Sequence, residues 1–363
     1  MLYLLLDPLS DQVPGLGVIG YIMFRTAVAS LTALAISLLL GPWLIRRLRA
    51  FQIGQVVRTD GPATHKPKAG TPTMGGLLIL AAVFAATLLW ADLRNSNIWI
   101  AVLSMAAFGV IGFVDDYMKV TRHSARGLVA RYKLVAQVGV ALVIGVTLLL
   151  LARQNPPHYN TSLFVPFFKN LNPDLGGWYV LFAVIVLVFT SNAVNLTDGL
   201  DGLAISTFSI SAVAYTALAY VTGHAIVAKY LLLQHFPPTG ELTVFGGSLV
   251  GASLGFLWWN AHPAEIFMGD VGSLALGGAL GTMAILTKQE LLLPIIGGVF
   301  VIEGLSVVIQ VISFRLTGRR VFRMAPIHHH FELIGWAEPK VIARFQIVAI
   351  IFAVFGLTTL KLR

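Results

Sequence analysis

Cysteine is absent from the 363 residues. That excludes disulfide scaffolding and thiolate metal sites. Charge is scarce as well: 11% of residues are Asp, Glu, Lys or Arg, against roughly 25% in an ordinary soluble domain. No Walker A pattern occurs, so ATP hydrolysis is not indicated. No internal repeat or low-complexity stretch is visible. A cleavable signal peptide is not expected, because Asp7 and Asp11 stand where a basic segment would precede a short apolar core. What fills the chain is apolar: 57% of residues are hydrophobic and the mean hydropathy is +0.82. The composition is that of an all-α, polytopic membrane protein, expected to form one transmembrane domain over residues 1–363.

A spanning helix needs about 20 mostly apolar residues. Ten such stretches are expected, over residues 20–45, 72–91, 97–117, 132–152, 177–195, 199–221, 242–259, 262–286, 290–314 and 340–361. With ten spans, both termini lie on one side. If that side is the outside, 17 of the 25 Lys and Arg residues fall in or beside inside loops. The positive-inside rule therefore puts both termini in the periplasm. This topology also accounts for the net charge of +9 without nucleic acid as a partner.

On this topology the few polar islands gather at the cytoplasmic face. Asp115 and Asp116 end the third span, with Lys119 one helical turn on. Adjacent carboxylates repel unless a cation lies near them, and their oxygens are the ligand type that Mg²⁺ prefers; the plainer reading is a solvated helix end. The run Asn195-Leu196-Thr197-Asp198-Gly199-Leu200-Asp201-Gly202 turns between the fifth and sixth spans. A cap needs one such polar residue, not Asn195, Asp198 and Asp201 together, and the spacing is not that of an EF-hand. Phe267-Met268-Gly269-Asp270 places an acid just inside the eighth span, which is costly unless a cation or partner meets it. Gly277 and Gly281 give the same span a small-residue face for close packing.

Two basic loops complete the inside face. His328, His329 and His330 lie between the ninth and tenth spans. Without thiolates or zinc spacing, a phosphate-binding role suits them better than a metal site. The first inside loop, residues 61–76, mixes Gly, Thr and Lys, including Lys68 and Thr73. It is apt for cradling phosphate, although topogenic charge alone would read the same.

These motifs, in this order, closely resemble the polyprenyl-phosphate N-acetylhexosamine-1-phosphate transferases. The stretch from Arg323 to His330 resembles the bacterial phospho-N-acetylmuramoyl-pentapeptide transferase branch in particular. The resemblance covers nearly the whole chain. It implies attack of undecaprenyl phosphate on UDP-MurNAc-pentapeptide at the cytoplasmic face of the bacterial inner membrane, giving lipid I and UMP, with Mg²⁺ as cofactor. Asp115, Asp116, Asp270 and His329 are the expected catalytic residues, with Asp270, Asp115 and Asp116 as metal ligands. Lys68, Thr73, Lys119, Lys133, Asn195, Asp198, Asp201, Asn260, Phe267, Gln310, His328 and His330 make up the expected substrate-binding set. Phe267 is assigned to stacking on uracil. The two substrates and the lipid bilayer are the expected partners, with a homodimer as the candidate assembly.

Two other readings compete. A sister transferase would take a UDP-N-acetylhexosamine without the peptide. An ion-coupled transporter would also carry intramembrane acids, but nearer the midplane and within inverted repeats.

Overall fold

The computed structural model describes residues 1–9, 13, 15–51, 70–122, 127–155, 158–168 and 171–361. Ten helices carry the fold: α1 (Ile22–Ala50), α2 (Gly76–Trp90), α3 (Ser96–Thr121), α4 (Ala130–Gln154), α5 (Tyr179–Thr197), α6 (Leu203–Gly223), α7 (Leu242–Asn260), α8 (Gly269–Leu286), α9 (Gly298–Thr317) and, after the short α10 (Ile327–Leu333), α11 (Glu338–Thr358). Among the described residues nine of them are long and apolar enough to cross a membrane, and α2 is a shorter apolar helix. Large apolar side chains such as Leu31, Leu39, Trp43, Leu103, Val143, Ile185 and Ile350 stay exposed on the outside. A soluble protein would not tolerate that surface; a lipid-facing one requires it.

Helices in lipid gain nothing from burying Leu against Leu, so they associate through small residues and interhelical hydrogen bonds. Gly247, Gly251 and Gly255 form a stripe on α7 that meets the α1 backbone near Thr26, Ser30 and Leu34. A methyl group at any of the three would strike α1. Gly277 and Gly281 serve α8 likewise, against Ser191 and Leu187 of α5. Ser104 and Thr282 share a buried 2.7 Å hydrogen bond between α3 and α8, and Asn192 reaches Gln137 across α5 and α4 at 2.8 Å. Every residue of α8 from Val271 to Leu286 is buried. It is the central post, and Asp270 stands at its foot.

Three of the expected spans end elsewhere. The second begins at Gly76 rather than 72, and its 15 residues reach only about 22 Å. Residues 72–75 form a non-helical approach beside 267–268, in which Met74 takes a positive φ of 69°. The Gly75 and Gly76 N–H groups donate to the Phe267 and Met268 carbonyls at 2.8 and 2.9 Å, and the Phe267 N–H donates to Pro72 O at 2.8 Å. Non-helical backbone at membrane depth needs such pairing. The eighth span starts at Gly269, whose φ of +72° suits glycine and breaks the helix from Pro263 and its neighbours. The ninth is interrupted. A 3₁₀ turn (Glu290–Leu292) and one short helix (Leu293–Ile296), set off by Pro294, precede Gly297 and α9.

The chain thus alternates between two ends. One end holds the buried Arg25–Glu241 ion pair at 2.6 Å, with Asp92 N–H donating to Glu241 at 3.0 Å. The other end gathers the polar islands.

Candidate active site

Asp115 and Asp116 lie in the turn before the last of α3, and both are 3% exposed. They reach Asp270 because nothing separates the two helices. A Cβ on Gly112 would overlap the Asp270 carbonyl, and one on Gly76 would overlap the Gly272 backbone. One oxygen from each of the three carboxylates lies within 4.8 Å of the others.

Two lysines hold the acids together. Lys119 Nζ is 2.7 Å from Asp115 Oδ2, 3.2 Å from Asp116 Oδ1 and 2.8 Å from Asp270 Oδ2. Lys133, from the first turn of α4, lies 2.8 Å from Asp270 Oδ2 and 3.6 Å from Asp115 Oδ2. The other oxygens are bound as well. Asp115 Oδ1 accepts the Leu128 N–H at 2.5 Å, and Asp116 Oδ2 accepts the Val271 N–H at 3.1 Å. Asn195 Nδ2 donates to Asp270 Oδ1 and to Ser273 Oγ, each at 2.7 Å. The fold thus brings Asp115, Asp116, Lys119, Lys133, Asn195 and Asp270 together in one cluster.

The turn after α5 closes the cluster. Asp198 lies close enough to Asp270 and Asp116 to feel their charge, and it accepts a hydrogen bond from the Gly269 N–H. Burial first, then the charges of Asp270, Asp116 and Asp201, push its carboxyl up to about 8. Among the described residues, three carboxylates (Asp115, Asp116 and Asp270) and the Asp198 carboxyl, which stays protonated up to about pH 8, thus face the ammonium groups of Lys119 and Lys133. Thr73 adjoins Gly269, where an added Cβ would come 3.0 Å from its Oγ1. Lys68 lies outside the described residues.

A second group lies beside the first. Asp201 is 3% exposed. Its Oδ2 accepts the Ala264 N–H at 3.1 Å and lies 3.1 Å from His262 Nδ1. Its N–H donates to Glu338 Oε1 at 2.9 Å. Asn260 is a cross-brace: its Oδ1 accepts the Gly202 N–H at 3.0 Å and its Nδ2 donates to Ile266 O at 2.8 Å. This brace fixes the segment that presents the half-buried Phe267 ring. Gln310 is likewise engaged within the protein. Its Oε1 accepts the Val321 and Phe322 N–H groups, each at 3.0 Å, and its Nε2 donates to Phe322 O at 2.9 Å.

The three histidines open α10 and take different places. His328 is wholly buried, with Nδ1 3.1 Å from Glu303 Oε2. His329 Nδ1 lies 2.8 Å from Glu332 Oε2. His330 Nδ1 accepts the Arg323 N–H at 3.1 Å. Sequence reasoning passed over Glu303, His262, Glu338 and Ser273. Glu303 carried the same signal as Asp270, an acid within an apolar run.

Fold and site together define a polytopic membrane enzyme of the phosphotransfer class: hard oxygen ligands and lysines are set where helices end, in reach of both lipid and water. Residues 98–288 match the model of glycosyl transferase family 4, and residues 68–80 match phospho-N-acetylmuramoyl-pentapeptide-transferase signature 1. The phospho-N-acetylmuramoyl-pentapeptide-transferase of Desulfatibacillum aliphaticivorans is 58% identical over 365 residues, covering 100% of both chains. That of Koribacter versatilis is 57% identical over 358 residues, with 94% of each chain covered. That of Thermodesulfovibrio yellowstonii is 53% identical over 364 residues, again covering 100% of both. The chain belongs to the phospho-N-acetylmuramoyl-pentapeptide-transferase family.

Proposed function

We propose that the whole chain acts as one transferase, moving phospho-MurNAc-pentapeptide from UDP-MurNAc-pentapeptide to undecaprenyl phosphate. A lipid-phosphate oxygen bonds to the β-phosphorus of the donor. The bond from that phosphorus to the bridging oxygen breaks, and the oxygen leaves with UMP. The single observation that carries this reading is the convergence of Asp115, Asp116 and Asp270 with Lys119 and Lys133 at the membrane-face end of the helices. Pyrophosphate chemistry there needs positive charge against the phosphates and a fixed acceptor oxygen.

The same residues fit a Mg²⁺ ion. Their oxygens already converge on one cationic atom, Lys119 Nζ, and among the described residues the three acids Asp115, Asp116 and Asp270 outnumber the ammonium groups of Lys119 and Lys133. Asp270, Asp115 and Asp116 would hold the ion, and when bound it supplies charge neutralisation for the phosphates. Asp115 orients or deprotonates the lipid phosphate, while Lys119 and Lys133 steady the phosphate charge. The floor from Asn195 to Asp201 and the Phe267 ring receive the nucleotide. Thr73, His329 and His330 receive the phosphates and sugar, and Lys68, outside the described residues, is assigned the same role from the sequence. An apolar cavity of about 180 Å³ between α5, α8 and the broken ninth span, lined by Phe182, Phe189, Leu280 and Phe300, suits a polyprenyl chain. The site end is assigned to the cytoplasmic side of the inner membrane, a placing that the positive loops support.

Donor choice tests the reading. Purified protein given undecaprenyl phosphate and Mg²⁺ should release UMP from UDP-MurNAc-pentapeptide and not from UDP-N-acetylglucosamine. Release from the simple sugar nucleotide alone would assign the chain to the sister activity.

A further inference from the structure

Glu303 of α9 and His328 of α10 form a sealed pair. Both side chains are 0% exposed, and Glu303 Oε2 lies 3.1 Å from His328 Nδ1. Yet neither Glu303 oxygen and neither ring nitrogen completes a hydrogen bond among the described residues. Four incompletely bonded polar atoms in one buried spot are rare in a folded protein and call for a reason. The pair contributes little to stability compared with two apolar side chains of the same bulk, so packing alone is a poor one.

The other edge of the ring supplies the reason. A Cβ on Gly199 would overlap His328 Nε2. Gly199 is not among the glycines with positive φ, so a side chain is excluded there by the ring and not by the backbone. The imidazole therefore rests directly on the turn between α5 and α6. Contacts run on from that turn without a gap. Asp198 accepts the Gly269 N–H, and Gly269 precedes Asp270. The Asp198 N–H donates to Asn195 O at 3.3 Å, and Asn195 Nδ2 holds Asp270 Oδ1 at 2.7 Å. On its far flank the His328 ring meets His329 edge-on, with centroids 4.1 Å apart. Glu303 beside Nδ1 favours the proton at that nitrogen, which leaves Nε2 as the edge toward the turn.

We propose that Glu303 is a positioning residue for the transfer: through His328 it sets the Asp198–Gly199 turn, and with it the placing of Asp270 in the carboxylate cluster. This role rests on the reading of that cluster as the metal-bearing transfer site. His328 is then a strut under the site, and contact with the donor falls to His329 and His330.

Two readouts on the full-length protein in detergent test it: Mn²⁺ affinity without substrate, from the paramagnetic resonance signal of free Mn²⁺, and UMP release with kcat and KM separated. In Glu303→Ala, Mn²⁺ affinity and kcat should each fall by about tenfold or more, as when a group behind a metal ligand is removed. KM for undecaprenyl phosphate should stay within about twofold. Glu303→Gln, which keeps an acceptor beside Nδ1, should recover most of both losses. If Glu303→Ala does not fold, the double variant Glu303→Leu with His328→Leu decides, since an apolar pair of similar bulk is tolerated where a lone buried charge is not. It should fold and show the same two losses. Unchanged Mn²⁺ affinity and kcat in either variant, or equal loss in the Ala and Gln variants with unchanged Mn²⁺ affinity, would overturn the proposal. Wild-type protein that binds Mn²⁺ but releases no UMP would refute the transferase reading instead, and the positioning role would then be judged on Mn²⁺ affinity alone.

Discussion

Lys119 Nζ lies 2.8 Å from Asp270 Oδ2, although 151 positions of chain separate the two residues. The contact ties the end of α3 to the foot of α8 and places a cation among three acids. Among the described residues, Lys119→Ala leaves those acids with Lys133 as the remaining ammonium group in contact, and like charges in a part-buried site repel strongly. We expect its melting temperature in EDTA to fall below that of the wild type. Millimolar Mg²⁺ should narrow the gap, because a divalent ion fits the same focus. An equal deficit with and without Mg²⁺ would show that the acids do not share a cation site.

The Phe267 ring is assigned to the nucleobase. Its backbone is held by Pro72 O and by the Gly75 N–H at 2.8 Å each, so truncating the ring should leave the segment in place. Stacking of a base on an aromatic ring is worth about 1–3 kcal/mol. Phe267→Ala should therefore raise KM for the UDP donor by roughly tenfold and leave the KM for undecaprenyl phosphate near its original value. Initial-rate kinetics with each substrate varied in turn distinguish this from the reverse pattern, which would move Phe267 to the acceptor site.

Asp115 is proposed to act on the lipid phosphate, whose second ionisation should lie near pH 6, by analogy with other phosphate monoesters. Below that pH the phosphate carries a proton that must be removed, and above it the dianion forms unaided. Asp115→Asn should lose more activity at pH 5.5 than at pH 8 (both roughly placed about that pKa). A pH–rate profile lowered by one constant factor would leave Asp115 a purely positioning or metal-holding role.

Asp198 gives a second pH dependence, of opposite origin. Its carboxyl is pushed from its ordinary 3.8 up to about 8, by burial and then by Asp270, Asp116 and Asp201. The folded state therefore holds a proton that the unfolded chain releases. This contribution to stability is complete below about pH 4, declines as pH rises, and is gone above about pH 8. In EDTA, the melting temperature of Asp198→Asn relative to wild type should rise steadily across that window, since Asn never acquires the charge. A difference independent of pH would mean that Asp198 is ionised throughout.

Much of this was readable from the chain, for a reason that also marks the limit. An acid in an apolar run stands out against its surroundings, so Asp115, Asp116, Asp198 and Asp270 were visible, and topology alone brought them to one face. Asn260 and Gln310 were equally visible as polar residues. Nothing local shows that their amides are engaged by Gly202 and Ile266, or by Val321 and Phe322. Lys133 was found, whereas Glu303 went unremarked within the run leading to Gln310. The start of α2 was misplaced because residues 72–75 pair with a segment almost 200 positions later, a relation that hydropathy cannot express. The interruption before α9 was missed: Pro294 and Gly297 mark it, but the apolar run around them reads as one span over 290–314.

The central claim is that Asp270 holds the cation on which the transfer depends. It is tested most directly by measuring lipid I and UMP from UDP-MurNAc-pentapeptide and undecaprenyl phosphate, with wild-type protein and with Asp270→Asn, each in Mg²⁺ and in EDTA. The account predicts both products in equal amounts from the wild type with Mg²⁺. It predicts none from the wild type in EDTA, and none from Asp270→Asn in either condition although that variant remains folded in the membrane. Wild-type turnover by Asp270→Asn, with its Mg²⁺ dependence intact, would contradict it.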